Sequence, residues 1–358
     1  MSSHSSNSAT IQKHVRLSQY MIPHSEAIVF HNSSFFKSSL SCKLPTPAEV
    51  REATDLIRSS TAGGTKSYFP VPFPSLNLIV KFGPSSIIPE GQCLWTIRTY
   101  LGDIVPVPEV YGWCKDSGED FLYMELVRGA TLEQRWGTLS ASDKLAICDQ
   151  LHLIVNGLRR IEQDPSDRFI GKLYLAFLCW TFDFFSLTDW FEGHIGRQPL
   201  HDRVFTDGCI PEAGPFPDIK SFHDWFSNLS RRNKAGPLSP HPMRPGLPDN
   251  VSINFTHSDL HPSNILVTLA GEGPARILAL IDFEQSGWYP AYWEYCKARW
   301  TAEIGGEWET MYLPRILERH DDAYKHWDYF CLSLGVWERV KFCHYSALTD
   351  PCDDFGVG

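Results

Sequence analysis

The chain has 358 residues, of which 43% are hydrophobic and 13% aromatic, so it can bury a sizeable core in about two lobes. Its formal net charge of −10 argues against broad binding to nucleic acid or an anionic membrane, and suits a cationic or polyhydroxy ligand better. Ten scattered cysteines without a C-x-x-C pair exclude a dense disulfide framework, and a polar, Ser-rich start predicts a cytoplasmic protein.

The first third of the chain predicts a small β-rich unit behind a flexible tail over residues 1–24. Residues 76–83 form a short β-branched run closed by glycine, which predicts a buried strand. Residues 89–102 begin with proline, end with glycine and carry apolar residues at helical spacing, which predicts a helix. The remaining predicted elements of this unit are a helix over 45–60 and strands around 107–114 and 121–127.

Longer helical patterns follow residue 128. Residues 140–162 carry a serine that can cap a helix and one apolar face, and 276–282 is another buried strand. The sequence therefore predicts an α+β protein with a small β-rich N-lobe over 25–127 and a larger, mainly helical C-lobe over 128–358.

An aromatic stretch over 173–191 is long enough to span a membrane. It contains Asp183 and Asp189, and each central Asp costs roughly 2.5–3.5 kcal/mol in a bilayer, so no membrane span is predicted. The similar segments 169-FIGK-172 and 194-HIGR-197 flank it. Two interpretations stay open, a buried helix of the acceptor pocket and a foreign insertion such as a translated intron.

Two short motifs carry groups suited to phosphoryl transfer, which needs a carboxylate near the attacking hydroxyl and metal ligands across the phosphates. In 257-HSDLHPSN-264, Asp259 lies between two strand-like runs and should occupy a tight loop, to which Asn264 returns five residues later. In 281-IDFE-284, Asp282 should stand at the exposed end of a buried strand. The Asn264 amide oxygen and the Asp282 carboxylate would be hard ligands for Mg²⁺.

A lysine inside the strand 76–83 is the next candidate. Lys81 lies in an otherwise apolar run, and an unpaired buried ammonium is costly, so it needs an acidic partner. Glu90 begins the following helix and can supply that carboxylate, which would position Lys81 against nucleotide phosphates. An edge-strand lysine that points to solvent is the alternative.

Over about residues 60–300 the chain resembles the aminoglycoside phosphotransferases and the related choline, homoserine and fructosamine kinases, which share the bilobal protein-kinase-like fold. Their metal motif, I-D-[FW]-[ED], is matched by residues 281–284. Their loop, H-G-D-x-H-x-x-N, is matched by His257, Ser258, Asp259, His261 and Asn264.

The resemblance implies an ATP-dependent kinase that phosphorylates a hydroxyl of a small molecule. It makes Asp259 the catalytic base and Asn264 and Asp282 the Mg²⁺ ligands. The nucleotide-binding residues that it implies are Lys81, Glu90, Glu125 and Val127, the last two through hinge backbone groups that would bind adenine.

Four features depart from the family pattern. Ser258 replaces the usual glycine of the loop, and Glu284 stands where protein kinases have glycine. No full G-x-G-x-x-G loop precedes Lys81, and Gly63 and Gly64 are the nearest glycines that could cover phosphates. Glu294 stands near the position of an aspartate that anchors a helix in the family, which leaves that anchoring role open.

Competing classes are a catalytically inactive kinase-like protein that binds nucleotide or a partner, a protein kinase, and a zinc metallohydrolase built on His257 and His261. No A-P-E-like segment follows Asp282, which disfavours a protein kinase. The acceptor contacts stay unassigned; acidic groups within 218–226 and 294–300 would suit a cationic acceptor.

Overall fold

The computed structural model describes residues 14–38, 42–60, 70–83, 87–173, 197–206, 212–232 and 239–335. The strands of these residues are β1 Val15–Arg16, β2 Ile28–Val29, β3 Val71–Phe73, β4 Leu78–Gly83, β5 Val110–Asp116, β6 Glu119–Glu125, β7 Ala130–Thr131, β8 Ile161–Glu162, β9 Lys172–Leu173, β10 Arg197–Gln198, β11 Ile253–Thr256, β12 Ile265–Val267, β13 Ile277–Leu280 and β14 Gly287–Pro290. The α-helices are α1 Ser34–Ser38, α2 Pro47–Ser60, α3 Ile87–Leu101, α4 Leu132–Trp136, α5 Ala141–Leu158, α6 Arg203–Thr206, α7 Ile219–Asn228, α8 Trp293–Trp300, α9 Leu313–Ile316 and α10 Asp321–Ser333.

A five-stranded sheet of order β2-β5-β6-β4-β3 forms the smaller lobe, and every neighbouring pair in it is antiparallel. The predicted strands over 76–83, 107–114 and 121–127 all lie in this sheet. In its register Lys81 of β4 stands opposite Leu122 of β6. Lys81 therefore lies in a strand with neighbours on both sides, although β3 pairs only with the three residues that precede it.

Helix α3 packs across this sheet and is the predicted helix 89–102 with an earlier start. Its close approach depends on Gly91, because a Cβ there would lie 2.7 Å from Leu122 Cδ1 and 3.2 Å from Trp113 Cε3. The glycine lets the helix backbone rest on the sheet and fixes the depth of its neighbour Glu90. The helix thus sets the position of a predicted site residue.

Helices α4 to α10, three two-stranded sheets and the three-stranded sheet β13-β12-β7 form the larger lobe, so the α+β, two-lobed fold expected from the sequence is confirmed. Strand β12 pairs with β13 as the hairpin expected between the two motifs, and β7 pairs with the other edge of β12. Strand β11, which leads into the first motif, pairs with β14, which follows the second motif. The first motif precedes β12 and the second follows β13, so the two motifs lie side by side at the open end of this hairpin.

The N-terminal segment differs from the flexible tail expected over residues 1–24. Residues 14–24 are described, and β1 pairs in parallel with β8 of the larger lobe. Val15, Leu17 and Ile22 are buried. These side chains anchor residues 14–24 against the core, and the sequence hid this because their partner strand lies far away in the chain.

Several predictions fall on residues that the structure does not describe. Residues 174–196, which contain most of the aromatic stretch 173–191, lie outside the described residues, and so do Gly63 and Gly64. The lobe boundary between residues 127 and 128 stays a prediction. Within the described parts of the chain, no helix is both long and apolar enough to cross a bilayer.

Candidate functional site

Lys81 lies at the junction of the two lobes and contacts two carboxylates. Its Nζ is 2.7 Å from Glu90 Oε1 of α3 and 2.8 Å from Asp282 Oδ1 of the second motif. Glu90 is 1% exposed and Lys81 13%. Burial alone would lower the pKa of Lys81, but the charges of Asp282 and Glu90 outweigh it and raise that pKa above its ordinary value. The lysine is therefore a fixed cation between the lobes.

Asp259 lies in the tight loop expected between β11 and β12. Asn264 returns to it, and its Nδ2 donates hydrogen bonds to the Asp259 carbonyl oxygen at 3.0 Å and to Asp259 Oδ2 at 3.1 Å. Burial raises the pKa of Asp259 to about 6, with the Asp282 charge adding to this and the Lys297 charge opposing it. A carboxylate with such a pKa is suited to accept a proton near neutral pH.

The second motif lies directly beside this loop. The Ile281 amide donates a hydrogen bond to the Asn264 carbonyl oxygen at 3.0 Å, so Asn264 and Asp282 lie on joined backbone segments. Their side chains offer an amide oxygen and a carboxylate, the hard oxygen ligands that Mg²⁺ prefers. These residues therefore fit a divalent cation whose remaining ligands are phosphate and water oxygens.

The loop histidine is built into the fold. His257 Nε2 lies 3.0 Å from the Ile281 carbonyl oxygen and Nδ1 lies 3.2 Å from the Asp259 amide nitrogen. Burial lowers the pKa of His257 to about 4, so the ring is neutral, with a protonated Nε2 that donates and an Nδ1 that accepts. Both ring nitrogens are engaged, which removes His257 as a zinc ligand and with it the proposed His257–His261 metal site.

Glu294 of α8 anchors the loop backbone, which resolves the role left open by the sequence. Its Oε2 accepts a hydrogen bond from the His257 amide at 2.8 Å, and its Oε1 accepts one from the Ser258 amide at 3.2 Å. Burial raises the pKa of this carboxyl to about 7. The glutamate thus fixes the residues immediately before Asp259.

Two non-glycine residues of the site have left-handed backbone conformations. Ser258 has φ +65° and Asp282 has φ +68°. This conformation costs an L-residue roughly 1 kcal/mol and is free for glycine, which accounts physically for the glycine in the family loop pattern. Ser258 offsets the cost with its hydroxyl, which donates to Asp202 Oδ2 at 2.6 Å.

A buried polar cluster beneath the loop escaped sequence reasoning. Asp202 is 0% exposed and Lys297 2%, and Lys297 Nζ lies 2.8 Å from Asp202 Oδ1. Lys297 also donates to Gln285 Oε1 at 3.0 Å, which joins the cluster to the turn after Asp282. The available signal was a lysine within the run 293-WEYCKARW-300, which is rich in apolar and aromatic residues.

An apolar cleft opens beside Lys81. Its walls include Ile79, Met124, Leu266 and Ile281, and the predicted hinge residues Glu125 and Val127 line the same cleft. The Glu125 side chain accepts a hydrogen bond from the Glu109 amide at 3.1 Å, so it supports the hinge. Among the described residues the Val127 amide has no hydrogen-bond partner, which leaves this donor to the cleft.

The acidic residues that the sequence offered for a cationic acceptor are committed elsewhere. Asp218 caps α7 through the Ser221 amide, and Asp224 pairs with Lys220 and Arg244. Glu294 has the loop-anchoring role already described. Arg203 is a nearby cation that opposes the effect of burial on the pKa values of Asp259 and Asp282, and its Nη2 lies 4.0 Å from Glu284 Oε1.

Residues 242–332 match a family model described as the phosphotransferase enzyme family, APH. The matched segment contains both motifs, 257–264 and 281–284. The resemblance drawn from these motifs is therefore confirmed over this part of the chain. No curated protein sequence matches the chain.

Solved aminoglycoside phosphotransferases resemble the chain at low identity. APH(3'')-Id from Streptomyces rimosus, in complex with ADP and streptomycin, is 15% identical, covers 81% of this chain and 99% of its own, and has a TM-score of 0.43. The aminoglycoside-3'-phosphotransferase of type VIII is 14% identical, covers 80% and 91%, and has a TM-score of 0.39.

Proposed function

We propose that the protein is an ATP-dependent phosphotransferase that moves the γ-phosphoryl group of ATP to a hydroxyl of a small molecule. The observation that carries this proposal is the position of Lys81, whose ammonium is held by Glu90 and Asp282 at the inner end of the apolar cleft. A cation there, beside a buried carboxylate loop that presents Asp259 and Asn264, is the arrangement that phosphoryl transfer requires.

The nucleotide would occupy the apolar cleft. Adenine would lie between the aliphatic walls and accept a hydrogen bond from the Val127 amide, while the Lys81 ammonium would contact the phosphates. Asn264 and Asp282 would hold a Mg²⁺ ion, which would supply positive charge near the phosphate oxygens. Lys81 would exchange its bond to Asp282 for phosphate oxygens while it keeps Glu90.

The acceptor hydroxyl would bind beside Asp259. The hydroxyl oxygen forms the new bond to the γ-phosphorus, the bond from that phosphorus to the β–γ bridging oxygen breaks, and ADP leaves with that oxygen. The hydroxyl proton passes to the Asp259 carboxylate and then to solvent. The hydrogen bond from Asn264 Nδ2 keeps one carboxylate oxygen oriented, which leaves the other for the acceptor.

The test is an ATP-consumption screen across a library of hydroxyl metabolites, with Mg²⁺ and with a chelator in its place. At least one acceptor should give Mg²⁺-dependent formation of ADP and a phosphorylated product. ATP binding without turnover on any acceptor would reject the proposal in favour of a non-catalytic nucleotide-binding protein.

A further inference from the structure

The conformation of Ser258 points to support from outside the two motifs. Ser258 directly precedes Asp259, is fully buried and has a left-handed backbone conformation. Its Oγ donates to Asp202 Oδ2 at 2.6 Å and lies 3.0 Å from Trp293 Nε1, which donates to it. A side chain with two hydrogen bonds and no exposed surface cannot rotate, so the backbone that leads into Asp259 is fixed from this side.

The acceptor of the Ser258 hydroxyl is itself one half of a buried ion pair. Asp202 accepts from Lys297 Nζ at 2.8 Å, and the Val204 amide donates to its Oδ1 at 2.9 Å. Burying two charges is costly, and well-packed apolar residues can often replace such a pair without loss of stability. The position of this pair directly beneath the catalytic loop therefore suggests a role in the geometry of the site.

The same pair reaches the second motif. Lys297 Nζ donates to Gln285 Oε1 at 3.0 Å, and the Arg203 amide donates to that oxygen at 3.0 Å. Gln285 lies three residues after Asp282, in the 3₁₀ turn that follows it. One ammonium therefore connects the turn after the metal motif, the loop of the catalytic base and the segment 202–204.

We infer that Asp202 and Lys297 are positioning residues, which act through the Ser258 hydroxyl to hold Asp259 in line with the acceptor. This inference rests on the proposed phosphotransferase function. Glu294 holds the backbone amides of His257 and Ser258, and the Asp202–Lys297 pair holds the Ser258 side chain. The family pattern has a glycine at the position of Ser258. Here the hydrogen bond from the Ser258 hydroxyl to Asp202 stabilises the left-handed backbone conformation that a glycine would adopt without cost.

The experiment uses the full chain and the variants Ser258→Ala, Lys297→Met and their combination. Each single variant should lower kcat about 10- to 100-fold, because small displacements of a catalytic group cost that much, while KM for ATP stays within about twofold. Both changes disturb the contact between Ser258 and Asp202, so the double variant should lose much less kcat than the product of the two single losses. Additive losses, or singles with wild-type kcat, would overturn the inference.

Arg244→Met is the matched control for loss of a buried cation. Arg244 is 8% exposed and pairs with Asp224 and Asp249 away from the catalytic loop. It should lose thermal stability as Lys297→Met does but keep its kcat. A control that loses kcat equally would mean that the effect is general destabilisation. If Lys297→Met does not fold, Asp202→Asn takes its place because it keeps volume and an acceptor oxygen.

Amide hydrogen exchange separates this inference from the proposed function. In Ser258→Ala and Lys297→Met the amides of residues 257–260 should exchange about tenfold faster than in the wild type, and in Arg244→Met they should not. A wild type without any phosphoryl transfer would reject the function, while the exchange result would still decide whether the pair holds the loop. Unchanged exchange in both variants would overturn the positioning role.

Discussion

Replacing Asp259 with asparagine should abolish turnover and stabilise the protein at the same time. The amide is nearly isosteric, and its Oδ1 can still accept the hydrogen bond from Asn264 Nδ2, which lies 3.1 Å from the Asp259 carboxylate. It cannot accept the hydroxyl proton. Loss of a general base typically costs about 10²- to 10⁴-fold in rate.

The gain in stability follows from the buried charge. Burial raises the pKa of Asp259 from 3.8 to about 6, and this difference corresponds to about 3 kcal/mol. A raised carboxyl pKa means that ionisation is unfavourable in the folded state. The wild type should therefore lose stability as pH rises from about 4 to about 6, and above that range Asp259→Asn should be more stable by up to about 3 kcal/mol.

Urea unfolding in a metal-free, chelator-containing buffer would measure this difference at pH 4.5 and pH 8. The stability gain should be about 1 kcal/mol at the lower pH and about 3 kcal/mol at the higher one. ATP turnover with Mg²⁺ is measured on the same preparations. An asparagine variant that is less stable at pH 8, or that keeps wild-type turnover, would refute the assignment of Asp259 as a buried base.

Three further changes test the surrounding structure. Lys81→Met should destabilise the protein by about 3–5 kcal/mol in urea melts, because it leaves Glu90 and Asp282 uncompensated; an unchanged melt would contradict the buried contact. Glu294→Gln should make the decline in stability between about pH 4.5 and 7 shallower and leave the part that Asp259 contributes below about pH 6, whereas a slope equal to that of the wild type would contradict the raised pKa of Glu294. Gly91→Ala should cost about 1–3 kcal/mol and raise KM for ATP, since its Cβ would push α3 off the sheet, whereas a wild-type melt and KM would show that α3 can shift freely.

Local patterns were sufficient to predict three of the five strands of the sheet, β4, β5 and β6, together with α3 and both motif loops, but they missed β2 and β3. The apolar residues of strand β4 and helix α3 recur at the spacing typical of a strand and of a helix, so each element can be recognised from a short window of sequence. The hairpin between Asp259 and Asp282 follows from two short apolar runs. The flexible tail predicted over residues 1–24 was wrong for residues 14–24, where Val15, Leu17 and Ile22 are buried. Their environment is created by β8, more than a hundred residues away in the chain, so no local window contains it.

The residues of the site likewise differ in whether their contacts are near or far apart in the sequence. Asp259 and Asn264 are five residues apart and meet because one turn of chain brings them together, so their spacing is visible in the sequence. Lys297 and Asp202 are 95 residues apart, and either one alone resembles an ordinary surface charge. What identifies them is their joint removal from water, since a buried ammonium persists only where a carboxylate meets it. Chemistry that is confined to one loop can therefore be predicted from the sequence, whereas the residues that hold the loop in place require the fold.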